Sequence, residues 1–188
     1  MDLVNAETPL ATERLLLQPL TPAHAAMLFP PLRDQRLYAY IPQDPPPTLA
    51  VLEQRFTRLA RRRSPDGSEI WLNWALRLTS ESLTSESLYV GTLQATLRAD
   101  ETALLAYMIF TPFQGRGYAH EGCARVLNHL VRDYAVRRVI AEIDTRNQPS
   151  IALVQSLGFT RVATAWATDF FKGAASDEYR YEYRPAPS

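Results

Sequence analysis

A chain of 188 residues fits a single domain, 1–188, and 46% hydrophobic with 21% charged residues is a composition that buries one packed core. Twenty Lys+Arg against twenty Asp+Glu leave zero formal charge, which argues against phosphate neutralisation as the main binding mode and hence against nucleic acid as a partner. No run reaches the ~18 apolar residues of a membrane span, no basic start precedes an apolar block, and the lone Cys123 excludes an intrachain disulfide or a cysteine zinc cluster, so a cytoplasmic, metal-free protein is expected.

Arg14 to Gln18 reads as a strand closed by Pro19, and Thr21-Pro22 as the cap and first turn of a short helix over His24 to Phe29. Ten of the fourteen prolines lie at or before Pro65, and Pro42, Pro45, Pro46 and Pro47 mark an ordered loop. Thr48 caps a second helix, with Leu49, Leu52, Phe56 and Leu59 at helical spacing and arginines at 55, 58 and 61–63 between them. The run Arg61 to Arg63 suits a solvated helix end beside the negative pole of the dipole. After the turn Pro65-Asp66-Gly67, the runs Ile70 to Leu78, Leu88 to Leu97 and Thr102 to Phe110 read as three strands. Thr79–Ser87 and Arg98–Glu101 connect them as an antiparallel meander.

From Gly117 to Tyr134 the period becomes helical, with Ala119, Cys123, Val126, Leu127, Leu130 and Tyr134 on one face. Val139 to Asp144 is the next strand, Pro149 opens a helix that Gly158 ends, and Phe159 to Ala167 and Glu178 to Tyr183 are the last strands. The order is β-α-α-β-β-β-α-β-α-β-β.

Between Phe110 and the helix beginning near Tyr118 lies Pro112-Phe113-Gln114-Gly115-Arg116-Gly117-Tyr118-Ala119. Two glycines at a helix mouth let backbone N–H groups converge, and the helix dipole adds positive charge there, which suits a pyrophosphate. A plain strand-to-helix turn would use the same residues. The three-glycine dinucleotide spacing and the Gly-Lys-Ser/Thr of a P-loop are both missing.

Gln114-x-x-Gly117-x-Ala119 resembles the coenzyme A signature of the GCN5-related N-acetyltransferase (GNAT) family. Gly115 to Glu121 (GRGYAHE), Asn147 to Leu153 (NQPSIAL), Leu157-Gly158-Phe159 and the opening Thr12-Glu13-Arg14-Leu15 are similar to its branch of ribosomal-protein-alanine N-acetyltransferases. The resemblance, from about Thr12 to about Tyr183, implies an α/β (α+β) fold with a mixed, mostly antiparallel sheet of about seven strands. It further implies a splay between the fourth and fifth of these strands, a bulge in the fourth, and acetyl-CoA as co-substrate. Tyr107, Met108 and Ile109 would offer backbone groups to the pantetheine arm, Gln114, Gly115, Arg116, Gly117, Tyr118 and Ala119 would hold the pyrophosphate, and Asn147 and Ser150 would close the far wall.

The sequence departs from the family at two places. Val154 stands where many relatives have the tyrosine that protonates the thiolate, and Leu104 where a glutamate is common. Ser150, a water, or no specific group is left as the acid. Glu142 is the favoured base, with Asp144, His120 and Asp34 as alternatives.

His24 and His129 read as surface residues and Cys123 as a buried apolar one. One of Trp71 and Trp74 belongs to the core, while the other, with Tyr38 and Tyr40, is a candidate wall for the acceptor. The expected activity is acetyl transfer from acetyl-CoA to a primary amine, a small molecule or a protein N-terminus, in a monomer or homodimer. A catalytically silent acyl-CoA-binding module and a nucleic-acid-associated protein using Arg58 to Arg63 are the rival readings.

Overall fold

The computed structural model describes residues 6–79 and 88–186. In chain order the elements are β1 (Leu10–Ala11), β2 (Leu15–Pro19), α1 (Ala25–Leu32), α2 (Leu49–Leu59), β3 (Glu69–Leu78), β4 (Tyr89–Arg98), β5 (Thr102–Ile109), α3 (Tyr118–Tyr134), β6 (Arg138–Asp144), α4 (Gln148–Ser156), β7 (Thr160–Phe171) and β8 (Ala174–Tyr183). The strands form one eight-stranded sheet in the order β1-β2-β3-β4-β5-β6-β8-β7. The expected order holds, with one addition: β1 is a two-residue strand pairing Leu10 with Leu17, too short to show alternation in sequence. The meander β3-β4-β5 is antiparallel, and its first connector falls at 80–87, outside the described residues.

Alternation along the meander sorts side chains to two faces. Ile70, Leu72, Trp74 and Leu76 of β3 join Leu93, Leu97 and the inward stripe of α3 (Cys123, Val126, Leu127, Leu130) in one core. On the other face α1 and α2 pack Leu28, Leu32, Leu52 and Phe56 over Ala75 and Phe110. The cap expected of Thr48 is present, its side chain accepting the Val51 N–H at 3.3 Å, and Asn147 caps α4 in the same way, accepting the Ser150 N–H at 3.3 Å.

The closing hairpin is longer than its sequence pattern indicated. β7 runs on to Phe171 and β8 starts at Ala174, joined through Lys172 and Gly173, both at positive φ (53° and 79°), as a two-residue hairpin turn requires. Lys172 is the chain's single lysine, and its ammonium donates to the carbonyls of Tyr38, Ile41 (2.9 Å) and Gln43 (3.1 Å). The hairpin tip therefore holds down the start of the proline loop.

Two surface assignments are corrected. His129 is 1% exposed: its Nδ1 lies 2.5 Å from Asp133 and its ring sits edge-on to Trp74 and Tyr134. Arg62 is buried as well and pairs with Glu7 at 2.7 Å, so the arginine run at 61–63 is not one solvated patch.

Candidate active site

β5 and β6 are parallel neighbours for three residue pairs, Thr102 with Arg138 to Leu104 with Ile140, and then separate. Beyond Leu104 no strand among the described residues pairs with the β6 edge of β5, while β6 continues against β8 as far as Asp144. This is the splay expected between the fourth and fifth expected strands. The expected bulge is not found: β5 pairs with β4 in unbroken register from Ala103–Leu97 to Ile109–Gly91. A different feature shapes β5 there. A Cβ on Gly91 would lie 2.3 Å from the Met108 carbonyl oxygen, so the missing side chain of Gly91 lets that backbone sit where it does.

The splay opens into a cleft of about 480 Å³. Every expected cofactor residue but Arg116 stands in its wall: Tyr107, Met108 and Ile109 from β5, Gln114, Gly115, Gly117, Tyr118 and Ala119 from the turn and α3, and Asn147 and Ser150 from α4. Arg116 instead lies over the Phe113 ring at 5.8 Å, and its carbonyl accepts from Arg14 at 3.1 Å. Gly115 and Gly117 are at φ 73° and 81°, and nothing lies within 4 Å of where a Cβ on Gly115 would be. Gly117 caps α3 without a side-chain bond, and among the described residues no hydrogen bond uses the N–H groups of Tyr118, Ala119 or His120. Three free donors at the positive end of a 17-residue helix, facing an open cleft, fit a pyrophosphate.

The start of the chain braces this cradle. The Glu121 carboxylate accepts from Thr12 Oγ1 (2.5 Å), Arg14 N (2.8 Å) and Arg14 Nε (2.7 Å). Burial raises its pKa, yet these bonds together outweigh burial and hold it below the ordinary carboxylate value. Gln114 donates to the Ile109 carbonyl at 2.9 Å and so ties the turn back to β5.

Across the splay, the Tyr107 and Ser150 hydroxyls are 2.5 Å apart. Burial pushes the phenol's pKa up against the lowering pull of Ser150, so Tyr107 is a neutral donor at any ordinary pH. The expectation picked Tyr107 for its backbone. Its side chain also reaches across the splay to Ser150.

The structure does not bring Glu142 to the cleft. Its carboxylate pairs with Arg180 of β8 at 2.6 Å, and it lines neither of the two cavities described here. Asp144 is 4% exposed and taken by Arg146 and Ser176, and hydrogen bonds from Arg146 hold its pKa down. Asp34 is held well below the carboxylate range by Arg36 and by Thr111, which donates at 2.7 Å, and this link fixes the 35–38 turn to the end of β5. Of the four base candidates, His120 alone lines the cleft. Burial places the Cys123 thiol deep in the core with its pKa raised.

Arg36, Leu37, Tyr40 and Ile41 also line the cleft; of these the sequence marked only Tyr40, as a candidate wall for the acceptor. A second cavity, of about 250 Å³, lies on the α1/α2 face of the sheet and shares Ile41, Tyr107 and Met108 with the first. Tyr38 and Asn73 line it, whereas Trp71 does not: its indole N–H is spent on Glu69 at 3.1 Å. Trp74 is the core tryptophan.

The acetyltransferase (GNAT) domain family matches residues 14–160. The chain belongs to the GNAT acetyltransferase family. It is 33% identical over 69 residues to the SPbeta prophage-derived uncharacterized N-acetyltransferase YokL of Bacillus subtilis, a stretch covering 37% of this chain and 39% of that relative. The fold is similar to the ribosomal α-N-protein acetyltransferase RimL in complex with coenzyme A (TM-score 0.80, 16% identity, 94% and 97% of the two chains). It is also similar to spermidine N-acetyltransferase from Vibrio cholerae with coenzyme A and spermine (TM-score 0.76, 15% identity, 92% and 96%). Among the described residues no helix is long and apolar enough to cross a membrane, and no group of three or more His, Cys, Asp or Glu could hold a metal.

Proposed function

We propose that the protein transfers an acetyl group from acetyl-CoA to a primary amine by direct attack in a ternary complex. The observation that carries this reading is that the two cavities have Tyr107 and Met108 in common as wall, on the stretch of β5 beyond its pairing with β6. Acetyl-CoA would supply the activated acyl group, with its pyrophosphate on the α3 donors and its arm along β5. The acceptor would enter from the second cavity. Both kinds of acceptor in the similar folds, a protein N-terminus and a polyamine, present such an amine.

In the reaction the amine nitrogen forms a bond to the thioester carbonyl carbon and the carbon–sulfur bond breaks. A β5 backbone N–H facing the cleft polarises the carbonyl oxygen. Tyr107, with its hydroxyl bound to Ser150, is the side chain placed to give a proton to the departing thiolate, which supplies a donor that Val154 cannot. The ammonium proton leaves to His120 or to water, since no carboxylate lines either cavity among the described residues.

The test is coenzyme A release from acetyl-CoA with a panel of primary amines, beside thermal unfolding with acetyl-CoA. A ligand at ~100 times its dissociation constant stabilises by about 2.7 kcal/mol. Gly117→Val, which puts a side chain at φ 81° and 3.3 Å from Arg14 Nη2, should lose that shift. Binding without turnover on any amine would make the chain an acyl-CoA-binding module, and no binding would refute the site.

A further inference from the structure

The acceptor cavity has an unusual charge balance. Its polar wall is Gln43, Arg55, Asn73, Thr92 and Gln94, the rest is mainly aliphatic and aromatic, and no Asp or Glu stands in it. Arg55 is partly buried on α2, and its described polar partner is Gln43 Oε1, at a long 3.4 Å. None of the ion pairs among the described residues includes it, whereas Arg36 and Arg62 nearby each hold a carboxylate. Burial lowers its pKa, Tyr38 opposes that shift and Arg58 adds to it. Asn73 is 6% exposed, and no hydrogen bond of its side-chain amide is found among the described residues.

A cation held without an anion in a partly dry wall costs free energy until a ligand supplies the opposite charge. A polyamine would bring further positive charge to a wall with nothing to pair it. We infer that the acceptor is a small apolar amino acid whose carboxylate is bound by Arg55, while its amine points to the shared wall at Tyr107 and Met108. The guanidinium fork matches a carboxylate bidentately, Asn73 and Gln94 are within the same wall to complete its hydrogen bonds, and the leucine and phenylalanine lining takes an apolar side chain. About 250 Å³ suits a molecule of that size and excludes the body of a folded protein. This inference rests on the acyl-transfer reading above.

The experiment compares leucine, methionine and phenylalanine with their carboxamides and with spermidine, using the full chain. Acetyl transfer should favour each acid over its amide by ~10- to 100-fold in kcat/KM, the range for one charged hydrogen-bonded contact. Arg55→Gln should bring the acids down to the level of the amides, Arg55→Lys should keep part of the preference, and both should bind acetyl-CoA as the wild type does. In parallel, titration of leucine and leucinamide into the coenzyme A complex reads acceptor binding without chemistry. Acid preference in that titration with no turnover would uphold the acceptor site and end the transfer reading. Equal or better use of amides or spermidine, or an unchanged preference in Arg55→Gln, would overturn the inference while leaving acyl transfer standing. No acid preference in the titration would overturn it whatever the turnover.

Discussion

Gly91→Ala tests whether the position of the β5 backbone sets the rate. The new Cβ would stand 2.3 Å from the Met108 carbonyl oxygen, 3.0 Å from Ile109 Cδ1 and 3.1 Å from Ile109 Cα. Two of these neighbours are backbone, so no rotamer change relieves the contact. β4 and β5 must part by roughly 1 Å to restore ordinary van der Waals separation. Overpacking of this kind costs about 1–3 kcal/mol, which for a chain of this length lowers Tm by roughly 3–10 °C. A displacement near 1 Å at the wall shared by both cavities should lower kcat by about 100-fold. Gly122→Ala is the comparison: its Cβ meets Leu93 Cδ1 at 2.8 Å, the far end of a flexible side chain, and alanine is favoured in a helix by about 1 kcal/mol. Calorimetric unfolding and steady-state kinetics should therefore separate a costly Gly91→Ala from a nearly neutral Gly122→Ala. Wild-type Tm and kcat in Gly91→Ala would refute the claim that the close approach of Gly91 to Met108 positions the catalytic strand.

Tyr107→Phe keeps the ring and removes the hydroxyl 2.5 Å from Ser150. Turnover should fall by about 100-fold with acetyl-CoA affinity within a few fold, and an unchanged kcat would remove the phenol from the proton path. Glu121→Gln should destabilise the fold by about 1–3 kcal/mol near neutrality through its weakened bonds to Thr12 and Arg14. Because the folded pKa of Glu121 is lowered, its contribution is complete above the unfolded value of ~4.3 and is lost as pH falls through the folded one. Unfolding of both proteins from pH 7 to pH 3 should show the difference shrinking at the acid end; a constant difference would contradict this.

What was legible in the sequence is what short-range chemistry determines. The glycines at 115 and 117 and the stripe from Cys123 to Leu130 announce a helix mouth and a buried face without reference to anything distant. That most of the expected cofactor residues share one cleft wall followed from local motifs. The surroundings of the candidate catalytic groups did not, because their partners come from far along the chain: Tyr107 meets Ser150 across 43 residues, and Glu142 is drawn to Arg180 across 38. Alternation placed Trp71 and Asn73 on one face, as found, but could not show that Glu69 would occupy the indole and leave Asn73 to the cavity. His129 reads as a surface residue until Trp74 and Tyr134 pack edge-on against it.

Among the described residues neither wall holds a carboxylate, which changes what the proposed reaction asks of the site. A carboxylate beside the incoming nitrogen would attract an ammonium ion and then remove its proton. Arg55, which no ion pair among the described residues includes, would repel ammonium instead, whereas Arg36 in the other wall is already paired with Asp34; on the proposed reading the site then favours the amine already neutral and leaves the proton to water or His120. The rate should then follow the free-amine fraction of the acceptor and rise with pH until that fraction saturates. Tyr107 sets no upper limit in this range, since burial holds its phenol protonated. The same β5 strand solves the two remaining problems in one place. Its edge beyond Leu104 would receive the arm because β6 pairs with it only as far as Ile140, and Gly91 on β4 lets the Met108 carbonyl sit where a side chain would forbid it.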